Sequence, residues 1–182
     1  PRKGQDVLLE AVGRLAPHMP DLELALVGDG RLAYHLERRA VALGLKGRVH
    51  RPGSLTAVDM RRWLAAADVF ASPCRVRWGG LEVEGFGIVF VEAALTGLPV
   101  LVGRSGGSVE AVVSGESGIV VDGARVEEVA AGLRRLLQAP EARRRELGAA
   151  ARRLAVRRHD PEEVGRRYRE LLNLAAGRTS GV

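Results

Sequence analysis

A lone cysteine, Cys74, rules out an internal disulfide and a cysteine-rich zinc site. The four histidines, His18, His35, His50 and His159, lie far apart and show no paired ligand spacing, so no structural metal is expected. Aromatic residues make up only 4 % of the chain, which leaves Val, Leu, Ile and Ala to build the core. The same scarcity removes the stacking platforms that single-stranded nucleic acid needs. No apolar run approaches the roughly 20 residues of a membrane-spanning helix. The opening Pro1-Arg2-Lys3-Gly4 lacks the apolar stretch of a secretory signal, and a cytoplasmic location is expected.

Lysine is nearly missing too: Lys3 and Lys46 stand alone, and arginine supplies the rest of a net charge of +6. A basic chain can meet nucleic acid, anionic lipid or phosphorylated ligands. One reading is therefore a basic module for anionic lipid or nucleic acid, using Arg134, Arg135, Arg143, Arg144, Arg145, Arg152, Arg153, Arg157 and Arg158. Glu141 and Glu146 are interleaved with these arginines, as on a solvated helix face. No nucleic-acid partner is expected.

What is present is a regular alternation of helix and strand. Apolar residues at helical spacing predict helices over 4–16, 31–43, 56–67 and 86–96, a short one from Ser108, and three more over 125–138, 141–156 and 161–175. Short Val- and Leu-rich segments predict strands over 22–27, 48–51, 68–72, 98–102 and 117–121. This order predicts an α/β fold, a Rossmann-like doubly wound parallel sheet with helices on both faces. One domain spans 1–176, and 177–182 reads as a flexible tail. A helix follows Pro1 within a few residues with no strand before it, so the first strand of such a sheet is expected to be missing.

Ligands of open parallel sheets bind beyond the carboxyl ends of the strands. The loops there are Gly28-Asp29-Gly30, Pro52-Gly53, residues 73–87 and 103–107, and most are glycine-rich. Glycine allows close backbone approach and N–H groups aimed at a ligand, which suits phosphate. The sharpest signal is the run from Glu84 to Glu92. Helix 86–96 is apolar almost all round, so burial is expected, with Glu92 as its one charge. A buried carboxylate needs partners, and a pair of sugar hydroxyls would serve. A core-edge glutamate paired with an arginine is the plainer alternative. Free N–H groups at the helix start, at Gly87 and Ile88, would offer an anion site between the two glutamates.

Glu84 and Glu92, with the glycines between them, resemble the E-x7-E motif of retaining family 4 glycosyltransferases, which have the GT-B fold. Arg2-Lys3-Gly4, Val27-Gly28-Asp29-Gly30, Ala67 to Pro73, Gly97-Leu98-Pro99-Val100 and Gly106-Gly107 with Glu110 extend the resemblance over essentially the whole chain. The loop from Pro73 to Gly85 is similar to that of actinobacterial phosphatidylinositol monomannoside mannosyltransferases, which use GDP-mannose.

The resemblance implies one half of a GT-B enzyme, the nucleotide-sugar-binding domain, with the N-terminal acceptor domain as its missing partner. It implies that Lys3 contacts the donor diphosphate, Glu92 the ribose hydroxyls and Glu84 a hydroxyl of the transferred sugar. Backbone N–H groups of Gly85, Phe86, Gly87 and Ile88 would meet the sugar and phosphates. Gly28 would admit the nucleotide, and Arg51 and Gly53 would border the base. Lys3 and Glu84 are the expected catalytic residues. Neither a metal nor another cofactor is implied, and since the leaving phosphate could take the acceptor proton, no side-chain base is needed either. GDP-mannose is the expected donor and a lipid or saccharide the acceptor, with peripheral contact to the inner face of an anionic membrane. This half alone is expected not to turn over. A half of a sugar-nucleotide epimerase is a further alternative; it would need acid–base residues facing the sugar, and only Glu84 and Glu110 are in view.

Overall fold

The computed structural model describes residues 2–176. The tail expected at 177–182 lies outside the described residues. The elements are α1 (Gln5–Leu15), β1 (Leu24–Val27), α2 (Ala33–Ala42), β2 (Val49–Gly53), α3 (Ala57–Ala66), β3 (Phe70–Ser72), α4 (Ile88–Leu95), β4 (Val100–Gly103), β5 (Gly118–Val121), α5 (Val126–Leu137), α6 (Glu141–His159) and α7 (Pro161–Ala175). Short 3-10 turns cover Ala16–His18, Trp78–Gly80 and Gly106–Ala111.

All strand pairs are parallel, as the alternating order requires. They form two sheets, β1-β2 and β3-β4-β5, in which β1 and β3 each pair along one edge only among the described residues. The central strand β4 shows why the arrangement is doubly wound. Its residues are all buried, and successive side chains point to opposite faces. Leu101 joins Leu8, Leu9, Val129, Leu133 and Leu136 of α1 and α5. Val100 and Val102 join Phe90, Ala93, Ala151 and Ala155 of α4 and α6. Helix α1 also contributes Val7, Val12 and Leu15 to a cluster that includes Leu26 of β1 and partly buried Val69 and Ala71 near β3, so it is packed against both sheets.

The carboxyl ends of β1, β3 and β4 therefore emerge near the start of α1. There Gly4 has φ 70, and a Cβ on it would stand 2.0 Å from the Pro73 carbonyl oxygen. That contact brings Lys3 against the loop after β3. Helix α7 keeps apolar residues outward, with Tyr168, Leu171 and Leu174 all more than 60 % exposed.

Candidate functional site

The residues singled out by sequence fall into two neighbouring groups. Gly28 and Arg51 line a groove of about 240 Å³ at the ends of β1 and β2, together with Asp29, Gly30, Leu32 and Gln5 of α1. Asp29 closes the adjoining turn by accepting from the Ser54 N–H and hydroxyl, both at 3.0 Å. Gly53 lies beside that carboxylate, and its carbonyl accepts from the Gly28 N–H at 2.8 Å. Arg51 spans the groove wall, donating to the Ala33 carbonyl at 2.9 Å and approaching Glu37 at 3.4 Å.

The second group centres on Glu84, which is only 5 % exposed. Lys3 reaches its carboxylate at 2.7 Å, and Arg2 lies at 3.9 Å. The buried Cys74 thiol is 3.4 Å from the same oxygen. Burial pushes the Glu84 carboxyl up, but the hydrogen bonds from Lys3 and Cys74 and the charges of Lys3 and Arg2 outweigh it, and the net shift is downward. Glu84 is ionised at neutral pH, a charge held in a largely water-excluded place by one lysine.

The backbone around Glu84 is gripped as firmly as its side chain. Its N–H donates to the Ser105 hydroxyl at 3.0 Å, while the Gly107 N–H lies 3.1 Å from the carbonyls of both Glu84 and Gly85. A Cβ at Gly106 would stand 2.1 Å from the Glu84 carbonyl oxygen, and one at Gly107 2.2 Å from that of Gly85. Only bare backbone fits there. Ser105 and Ser108 cap each other within the same turn.

Helix α4 begins at Ile88, two residues later than the periodicity predicts, because Gly87 takes φ 75 as its N-cap. A Cβ at Gly87 would stand 2.2 Å from the Phe90 ring, so conformation and space both demand glycine. The first N–H groups of α4 have no acceptor within the helix and open beside Gly85 and exposed Phe86. Phe86 rests edge-on against His159 at the end of α6, with ring centroids 5.0 Å apart.

Glu92 departs from expectation. It is exposed and makes no ion pair among the described residues. Helix α4 is covered on one side only, where Phe90, Ala93 and Ala94 are buried. Ile88, Glu92 and Leu95 form the open stripe, with Ile88 66 % and Leu95 44 % exposed. The buried carboxylate of this site is Glu84, and Lys3 already answers it. Sequence reasoning also missed Cys74, Ser105 and Arg2 as neighbours of Glu84, since no periodic signal links residues so far apart along the chain.

The sequence pattern of the glycosyl transferases group 1 matches residues 1–154. The chain belongs to that family. It is 42 % identical, over 95 % of its length, to a GDP-mannose-dependent alpha-(1-6)-phosphatidylinositol monomannoside mannosyltransferase of Mycolicibacterium smegmatis, and spans 45 % of that relative. A crystal structure of Anabaena HepE in complex with UDP and glucose superposes with a TM-score of 0.81 at 27 % identity, over 95 % of this chain and 45 % of that one. The C-terminal domain of a group 1 glycosyltransferase, LpcC of Francisella tularensis, has the same fold, with a TM-score of 0.73 at 21 % identity over 87 % of this chain and 80 % of that one. These neighbours give the family domain its frame, a Rossmann-like half of a GT-B fold: the alternation of elements implied the Rossmann-like sheet, and the resemblance implied the GT-B half.

Four of the nine late-helix arginines singled out by sequence, Arg143, Arg144, Arg145 and Arg158, are engaged with their own domain. Arg143 pairs with Glu146 at 2.5 Å and donates to the Gly115 carbonyl at 3.0 Å. Arg144 holds the carbonyls of Leu137 and Ala139 and lies 3.6 Å from Asp68. Arg145 pairs with Glu141, and Arg158 donates to the Glu110 carbonyl. No helix among the described residues is long and apolar enough to cross a membrane.

Proposed function

We propose that this group 1 domain holds GDP-mannose for retaining transfer of mannose to a lipid or saccharide acceptor. One observation carries the reading: a buried carboxylate and one of the chain's two lysines meet at 2.7 Å, directly ahead of the open N-terminus of α4. Such a site offers a cation and backbone N–H groups to a diphosphate, and a carboxylate to the sugar attached to it. The name of the 42 %-identical relative supplies the base, the sugar and the lipid class of acceptor.

In this reading Lys3 and the N–H groups of Gly87 and Ile88 stabilise charge that develops on the leaving GDP. Glu84 accepts from a mannose hydroxyl, and Glu92, from the open stripe of α4, accepts from the ribose. The groove beside Gly28, Arg51 and Gly53 receives the nucleoside. The diphosphate charge is met by these groups rather than by a divalent cation. The acceptor hydroxyl attacks from the face that the leaving group departs, and the departing phosphate takes its proton. The acceptor itself is bound by a further domain, so this chain binds donor without turnover, and a lipid acceptor would place the work at a membrane surface.

Calorimetric titration with GDP-mannose, UDP-glucose and ADP-glucose tests the reading. GDP-mannose should bind tightest, and Glu92→Ala should weaken it by about tenfold, the loss of one charge-assisted hydrogen-bonded pair. Absence of binding by all three would overturn the proposal.

A further inference from the structure

The reading above gives Lys3 and Glu84 separate parts of one ligand, yet they hold each other at 2.7 Å. A diphosphate carries more charge than one carboxylate and competes for the ammonium group. When Lys3 turns to it, Glu84 is left largely buried and needs another donor to keep its charge and place. Two atoms other than Lys3 face the carboxylate: the Arg2 guanidinium at 3.9 Å and the Cys74 thiol at 3.4 Å. Arg2 is beyond hydrogen-bond distance, which leaves the thiol.

A thiol is a weak donor, but this one cannot move away. Cys74 is fully buried. A Cβ at Gly103 would stand 1.9 Å from the Cys74 carbonyl oxygen and one at Gly123 2.3 Å from it, so two bare backbones enclose the loop. The Ser72 hydroxyl lies 3.3 Å from the sulfur. With the thiol donating to Glu84, that hydroxyl donates to the sulfur, giving a chain Ser72 O–H···S–H···O Glu84. Burial pushes the thiol up, and the neighbouring carboxylate adds to this despite the Ser72 hydrogen bond. The sulfur stays protonated and remains a donor.

We propose that Cys74 is a positioning residue: its thiol holds the Glu84 carboxylate toward the sugar while Lys3 serves the diphosphate. The proposal rests on the donor-binding reading, and its test separates the two. Wild type, Cys74→Ser and Cys74→Ala are compared by two measurements. The first is carbon-13 resonance titration of the Glu84 carboxyl without ligand. Its midpoint should rise in Cys74→Ala and return toward wild type in Cys74→Ser, where a hydroxyl donates instead. The second is the ratio of GDP to GDP-mannose dissociation constants by calorimetry. Cys74→Ala should lower the advantage of the sugar by about fivefold while GDP alone changes less than about twofold, and Cys74→Ser should restore it. An unmoved Glu84 titration in Cys74→Ala would overturn the proposal, as would equal weakening of GDP and GDP-mannose, the mark of a packing role. If wild type binds neither nucleotide, the donor reading fails, and the carboxyl titration still decides whether Cys74 holds Glu84.

Discussion

Glu84 carries a charge in a place where a charge costs free energy, and its neighbours determine how that cost is met. Its carboxyl titrates below the ordinary 4.5. A carboxylate with a depressed folded-state value contributes stability that is fully present above the unfolded value and lost as pH falls through the folded one. Wild type should therefore lose melting temperature on acidification below the ordinary glutamate range more steeply than Glu84→Gln, with the two curves parallel near neutral pH. Thermal unfolding across that range checks it; parallel curves throughout would mean that the pair with Lys3 adds nothing. The sequence marked Glu84 and Glu92 as a pair but assigned the burial to the wrong member. An apolar octet such as α4 reads as buried all round. Only packing decides which stripe is covered, and residues 88, 92 and 95 face outward. The partners of Glu84 were not legible because Lys3, Cys74 and Ser105 reach it from three separate loops.

At the scale of elements, most boundaries lie within about two residues of those expected from periodicity and turn residues. Strands here are short, and most are ended or followed directly by glycine or proline, so their edges are well marked. The loop 73–83 conceals more order than its composition showed: a bridge from Arg77 to Glu82, closed by a 2.8 Å ion pair, frames the turn at Trp78. Helix glycines are where pattern alone misleads, as two of them show. Gly148 of α6 lies against the α4–β4 turn, where a Cβ would stand 1.7 Å from the Gly97 carbonyl oxygen. Gly165 of α7 has only the end of the Arg169 side chain near it, at 3.5 Å. Gly148→Ala should destabilise by about 2–3 kcal/mol through forced separation of α4 and α6. Gly165→Ala should stabilise by about 0.5–1 kcal/mol through helix propensity. Urea unfolding of both variants checks the opposite signs.

Across the whole molecule, composition bounded the fold class and the motif series bounded the family, while the charge was the least informative feature. A net charge of +6 invited a polyanion-binding reading. In the fold, several of the arginines behind it hold carbonyls or carboxylates of their own domain, which leaves less charge free for a partner. Division into two parallel sheets could not be read from the order of elements, because pairing depends on neighbours in space. Both sheets send loops to the start of α1, and that convergence is the basis of the proposed function. Backbone nitrogen-15 resonance mapping of the chain during titration with GDP-mannose tests it most directly. The account predicts the largest shifts at Lys3, Gly28, Gly87 and Ile88, saturating together. Shifts confined to the arginine-bearing faces of α5 and α6, or none at saturating ligand, would contradict it.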